Sequence, residues 1–485
     1  MIVKLASQMI NEIRSDQIET YDSVLITGDI VCSGEIFLCK IKFNKCIIKG
    51  DIRVSNCSFK DELSFIDTYF EGNILFNNVI FEKASRFNNC QLGSYSLAYI
   101  NRNRKMFEIE KSLFKDEANF SSDFCLIAGF KEVTFEKNAS FHGAKFFLSV
   151  LFIKCIFMNN ADYMFSEFKG DTLFDKVKFF NDADFEEARF GNDMGFEYSL
   201  ANNNRLEHGI FKKFAFSKSI FNGETSFFRA KFFGNIRFHK ITFNGVCNFL
   251  GAKFVGDAVF HGSKFKSFAK FGAGSKIFGN LDFSEVIFQE GAYLHDLEIG
   301  MKLKLARAQF ENLMIRWPSI RDHLEDNWNS EKEIIRLVED FDKSITPLYL
   351  SLIRNFNNIG FHDDADECYL ELRRKKKKNI RDKKSQIIDY FDYALFGYGV
   401  LWYNPLVCGI FTMIFFLIFF FIFDDNCSIN NYKAFSNATI NSLASFVSSP
   451  KSDNIYIILF SNIERFFGYI IMSCFLVTLA KKRLR

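Results

Sequence analysis

The chain is poor in the groups that enzymes and metalloproteins rely on. It has seven histidines, and none stands with a serine or cysteine in a recognisable nucleophile arrangement. Its twelve cysteines form no C-x-x-C pair and no cysteine–histidine cluster with zinc spacing. No glycine loop of the phosphate-cradling kind occurs, and the glycines instead read as turn residues where a positive φ is wanted. Catalysis, a metal and a cofactor are therefore not expected. An excess of one charge is lacking too, since 61 lysines and arginines face 58 acids. No signal peptide stands at the start either: Met1 to Tyr21 is polar and reads as a helical cap, so the region after it is expected to stay in the cytoplasm.

What is abundant is phenylalanine, 65 of them, in a ladder whose steps alternate five and six residues. One stretch runs Phe130, Phe135, Phe141, Phe146, Phe152, Phe157, Tyr163, Phe168, Phe174, Phe179, Phe185, Phe190, Phe196. A second runs from Phe227 through Phe249 and Phe254 to Phe271, and earlier anchors reach from Phe37 to Leu92. Two residues before nearly every anchor stands something small or β-branched, such as Ala128, Val133, Ala139 or Cys155. Residues two apart on an extended chain share a side. The aromatic and its small partner therefore both face a core, and a strict repeat of this kind means a solenoid.

Units such as Ala183-Asp184-Phe185 and Ala252-Lys253-Phe254 resemble the pentapeptide-repeat family, whose motif is a small residue, any residue, then Leu or Phe. The resemblance implies a mainly β fold, a right-handed quadrilateral β-helix over residues 24–316 behind a cap at 1–23. Every second side carries a sixth residue, so a coil takes about 22 residues and twelve or so coils give a rod roughly 60 Å long. A left-handed hexapeptide helix would need a steady period of six. Phase breaks between Leu92 and Phe114, and between Phe196 and Phe227, hold polar stretches that read as loops. Cys46, Cys57, Cys90, Cys155 and Cys247 occupy the small inward position, as reduced thiols acting as small hydrophobes. Some members of the family mimic DNA with a strongly acidic rod. This rod is near neutral and lacks the one-sign field that a nucleic-acid mimic or binder needs, so no nucleic-acid partner is expected.

After Trp317-Pro318 the ladder gives way to helical spacing, in a linker over 317–390. Thr346-Pro347 reads as a helix entry, Gly360 as its stop, and Asp363 to Glu367 as the acidic start of a second helix. That hairpin is similar to one tetratricopeptide unit. It runs into the basic cluster Arg373 to Lys378. Composition then reverses in a domain over 391–485, with apolar spans at about 406–423 and 463–480. Basic clusters on the far sides of both spans place them in the cytoplasm, so both termini are expected inside a multi-pass cell (inner) membrane protein.

Phe396-Gly397-Tyr398-Gly399 before the first span and Glu464-Arg465-Phe466-Phe467-Gly468 at the second resemble the ion-channel-type two-span module of some membrane pentapeptide-repeat proteins. The resemblance implies that the loop before the second span dips into the membrane and lines a pore. Its candidates are Thr439, Asn441, Ser442, Ser445, Ser448 and Ser449, with Glu464 near the outer boundary. The loop lacks a T-V-G-Y-G filter, and it reads equally as an external Ser/Asn-rich loop. Two spans cannot enclose a pore, so conduction requires a homo-oligomer, most simply a four-fold ring. The alternative is a non-conducting scaffold, anchored in the bilayer, whose rod surface binds a partner protein.

Overall fold

The computed structural model describes residues 1–15, 20–95, 105–190, 214–325, 337–379, 382–422, 432–446, 448 and 455–483. The chain divides into two units, Met1–Glu333 and Ile334–Arg485. In the first, each coil lays one short strand on each of four parallel sheets, of 13, 13, 12 and 12 strands. The step from coil to coil is 22 residues, as between the hydrogen-bonded hydroxyls of Ser33 and Ser55. Like residues therefore stack on like. Phe43 pairs with Phe65 and Phe65 with Phe87, all three buried.

The five-six rhythm has a backbone cause. Each five-residue side turns its corner with a residue in the left-handed region two places after the anchor. Glu132, Lys154, Lys176 and Lys218 do so with φ of 54°, 53°, 55° and 49°. The six-residue sides between Phe135 and Phe185, such as Phe135 to Phe141, have no such residue. One extra residue lets a corner turn with ordinary φ, whereas the shorter side needs the left-handed twist.

Some glycines serve turns at positive φ as expected, such as Gly143 at 65° and Gly262 at 67°, and others have a second role. Gly50, Gly72 and Gly170 are not at positive φ. A Cβ on Gly72 would lie 2.2 Å from the Gly50 carbonyl oxygen, and one on Gly170 would lie 2.1 Å from the Leu148 carbonyl carbon. These glycines let one coil sit directly on another. The next residue along this corner adds a second device: Asp29 Oδ1 accepts from the Asp51 amide at 2.9 Å, and Asp51 Oδ1 from the Asn73 amide at 2.8 Å. Asn235, Asp257 and Asn280 continue the same ladder farther along.

The interior is built from stacked rings. Phe141, Tyr163, Phe185, Phe227 and Phe249 lie face to face, with centroids 4.7, 4.7, 4.8 and 4.8 Å apart. Neighbouring stacks meet edge to face, as Phe130 meets Phe141 at 86°. Of the predicted anchors, Phe130, Phe135, Phe141, Phe146, Phe185, Phe190, Phe249 and Phe254 are all buried, and Phe196 lies outside the described residues. Both breaks are narrower than the spacing suggested. Phe107 and Ile109 join the core between Leu92 and Phe114, and Phe216 and Phe221 join it before Phe227. The cysteines at small positions are buried without a disulfide among the described residues, and burial pushes the Cys90 and Cys155 thiols up to about 12.

Tyr163 is the one odd rung in its stack. Its ring is fully buried, and its hydroxyl has no hydrogen-bond partner. An orphaned buried hydroxyl costs about 1–3 kcal/mol. Tyr163→Phe should therefore stabilise the solenoid by roughly that amount. Chemical denaturation of the two proteins side by side checks it, and an unchanged or lower midpoint would contradict it.

Both ends are closed. Helix α1 (Ala6–Arg14) buries Met9, Ile10 and Ile13 at the first coil. Ile2–Leu5 just before it pairs with Val24–Thr27, so the N-terminal segment supplies a strand as well as a helix. At the other end Trp317, Ile320 and Leu324 are buried.

The second unit is helical: α2 (Leu337–Asn358), α3 (His362–Asn379), α4 (Lys383–Phe396), α5 (Asn404–Ile422), α6 (Tyr432–Ser445) and α7 (Ile455–Arg483). Helix α2 begins well before Thr346, so Pro347 is an interior residue and not the helix entry. Gly360, at φ 81°, makes the turn into α3 as expected. The second apolar helix starts at Ile455, eight residues ahead of the predicted span, because Ile455 to Asn462 carries no charge to break it.

Candidate functional site

Helix α6 packs against both α5 and α7, and its inner face carries serines. Ser442 and Ser445 sit one turn apart there, both buried. The Ser442 hydroxyl lies 2.9 Å from the Met413 carbonyl oxygen on α5 and 2.7 Å from Glu464 Oε1 on α7. Ser445 Oγ donates to Ser461 Oγ at 3.0 Å. A serine hydroxyl has one proton and a backbone carbonyl has none. Both Ser442 contacts are made together only when the Glu464 carboxyl supplies the second proton. Glu464 is fully buried, and its Oε2 has no hydrogen-bond partner.

The helix that carries Glu464 is longer than the predicted span. With α7 starting at Ile455, Glu464 falls well inside the helix. The other candidates divide. Thr439 Oγ1 donates to its own helix at Phe435 O, 2.8 Å away, and Asn441 is half-buried. Ser448 is exposed and donates to Ala444 O at 3.1 Å. Ser449 lies outside the described residues. The structure thus brings Ser442, Ser445 and Glu464 together and leaves Thr439, Asn441 and Ser448 apart from them. Ser442 and Ser445 point into the helix packing of a single protomer.

Two glycines face Phe446, and one of them fixes how closely the helices approach. A Cβ on Gly468 would stand 2.4 Å from the Phe446 carbonyl oxygen, and one on Gly409 would stand 3.4 Å from the Phe446 ring. Phe446, just past the end of α6, sits between α5 and α7; the approach leaves no room for a Cβ at Gly468, whereas Gly409 is in ordinary contact with the ring. Phe416, Phe420, Ala438 and Ile457 form an apolar cluster nearer the other end of α6. Ser461, Met413, Gly409 and Phe446 escaped the sequence reading. Part of the signal was there: Ser461, Glu464, Gly468 and Ile471 are spaced as one helix face.

A second polar knot ties α3 to α4 and to the turn before α5. Arg373 donates to Asp389 and Asp392 at 2.9 Å each, and Tyr398 donates to Asp389 at 2.8 Å. The guanidinium also lies 4.4 Å from the centre of the Tyr398 ring. Burial, with Asp389 beside it, pushes the Tyr398 phenol up to about 12. Gly397, Tyr398 and Gly399 are all left-handed, with φ of 51°, 56° and 72°.

Among known families, a model described as pentapeptide repeats (9 copies) matches residues 152–200. No curated protein and no solved structure matches the chain. The matched stretch begins at Phe152, and its stacked coils repeat the geometry found along the rest of the first unit. The chain is a parallel β-solenoid, similar to pentapeptide repeats over residues 152–200, followed by α-helices, two of which, Asn404–Ile422 and Ile455–Ala480, are long and apolar enough to cross a membrane.

Proposed function

We propose that the helical unit is a two-span membrane module that conducts ions as a homo-oligomer, with the solenoid on the cytoplasmic side as its sensor or assembly domain. One observation carries this reading, the depth that α6 reaches. Phe446 abuts Gly409 and Gly468. Each of those lies about 20 Å along its helix from the end where α5 finishes or α7 starts. A bilayer core is about 30 Å thick. If α5 and α7 span it, α6 is a re-entrant helix and not an external loop. Non-helical backbone at such depth is tolerated only where protein or a water-filled cavity surrounds it. The basic ends at Arg373 to Lys378 and Lys481 to Arg485 support cytoplasmic termini in the cell membrane.

The test is ion flux through liposomes containing the full-length protein, with cross-linking to count its subunits. Flux above that of empty liposomes, together with a cross-linked oligomer, is the expected result. A folded, inserted protein that is silent and monomeric would overturn it and favour the scaffold, in which the spans only tether the solenoid for a protein partner.

A further inference from the structure

Helix α4 has an apolar face with nothing on it among the described residues. Ile387, Ile388, Tyr390 and Phe391 are 57, 68, 63 and 57 % exposed. At 100° per residue they fall on one side of the helix. On the opposite side Asp389 and Asp392 are clamped by Arg373, which fixes which way α4 faces. An exposed patch of large apolar side chains on a rigidly oriented helix is unusual unless something covers it.

Two observations say what covers it. The first is continuity, because α4 runs through Gly397–Gly399 and the aromatic pair Trp402 and Tyr403 directly into the apolar α5. Tryptophan and tyrosine are the residues that settle at a headgroup boundary. The second is charge. Lys383 and Lys384 open α4 and are exposed. Lys376, Lys377 and Lys378 close α3, with the Lys377 ammonium 5.9 Å from the centre of the Tyr393 ring on α4. Lys482 and Arg483 end α7, also exposed. Basic side chains beside an apolar helix face fit an anionic lipid surface, with the rings and aliphatic groups in the acyl boundary and the ammonium groups on phosphate.

We propose that α4 lies along the bilayer surface as an anionic-lipid-binding helix, with Ile387, Ile388, Tyr390 and Phe391 inserted and Lys383 and Lys384 on the headgroups. This rests on the reading of α5 and α7 as spans. It adds a lipid-facing surface next to the Arg373–Asp389–Tyr398 knot, so that headgroup charge acts on the turn that leads into the first span.

The test places an environment-sensitive nitrobenzoxadiazole dye on Ile388→Cys, and separately on Glu367→Cys of α3, in the full-length protein. Labelled parent protein serves as the blank for the native thiols. The proteins are reconstituted in phosphatidylcholine discs with and without phosphatidylglycerol. At position 388 the emission should shift to the blue, and a lipid-borne quencher should reduce it several-fold when phosphatidylglycerol is present. At position 367 neither should happen. Adding Lys383→Glu and Lys384→Glu should abolish the quenching at 388. Aqueous emission at both positions would overturn the proposal. So would a blue shift that the lipid quencher leaves untouched, since another protein surface then covers the face. Equal quenching without phosphatidylglycerol would overturn the anionic-lipid assignment. Alkaline extraction is run in parallel: release of the protein would show that the spans themselves fail, separately from α4.

Discussion

Phe185→Ala is expected to destabilise the solenoid by about 3–5 kcal/mol, the range for truncating a buried phenylalanine. The ring is fully buried. It stacks on Tyr163 at 4.7 Å and on Phe227 at 4.8 Å, and meets Phe174 and Phe216 edge-on at 5.8 and 5.6 Å. Each of those neighbours lies in a strand or directly after one, its backbone bonded to the next coil, so none can close over the gap without moving a coil. The damage should also be local. Coils of a solenoid touch only their neighbours, and stability is close to a sum of repeat and interface terms. Hydrogen exchange should therefore accelerate in strands around Ala183 and Thr225 and stay slow around Phe43. Phe185→Leu, which keeps most of the volume, should lose less. A denaturation midpoint equal to that of the parent would contradict the packing role of the ring, and a uniform loss of protection along the rod would contradict its local reach.

The reason such a rung could be named from sequence is that a solenoid repeats one local problem many times. A five-six phase held over a dozen steps specifies strand, facing and stacking partner together, because the residue one coil away is also the residue in contact. What the pattern hid was whatever breaks the phase or uses backbone. Phe107 and Phe216 lie just beyond insertions, where counting forward from the last anchor misses them. The Asp29–Asp51–Asn73 ladder was visible as a Gly-Asp or Gly-Asn pair 22 residues apart in three successive coils, yet its meaning, an acceptor for the next coil's amide, needs the coils in place. The helical unit was less legible. Ser442, Ser445 and Glu464 were singled out through the resemblance to a two-span channel module. Their meeting depends on α6 folding back between α5 and α7, and nothing periodic in the sequence records that. Taking the second span from Ile463 also put Glu464 at the start of a helix that begins at Ile455.

Gly468→Val should dislodge α6 and abolish flux while leaving the protein in the membrane. A Cβ at this position would overlap the Phe446 carbonyl oxygen at 2.4 Å, a backbone atom that cannot swing aside. Valine adds two methyl groups to that clash. Overpacking of this kind costs about 1–3 kcal/mol. Displacement of α6 would also break the Ser442–Glu464 and Ser445–Ser461 contacts, each worth about 1–2 kcal/mol between membrane helices. Those contacts oppose the displacement, but no rotamer change relieves a clash with a backbone atom, so α6 must shift to admit the valine and the two contacts go with it. Valine itself suits an apolar span, so alkaline extraction should find the variant as firmly inserted as the parent. Two readouts separate the consequences. A Ser445→Cys, Ser461→Cys pair should form a disulfide in the parent background, where the two oxygens are 3.0 Å apart, and should fail to form one beside Gly468→Val. Flux through liposomes should fall to the level of empty vesicles in the same variant. Loss of the disulfide with flux intact would remove α6 from any conduction path, and a disulfide that still forms would show that the helices accommodate the added side chain.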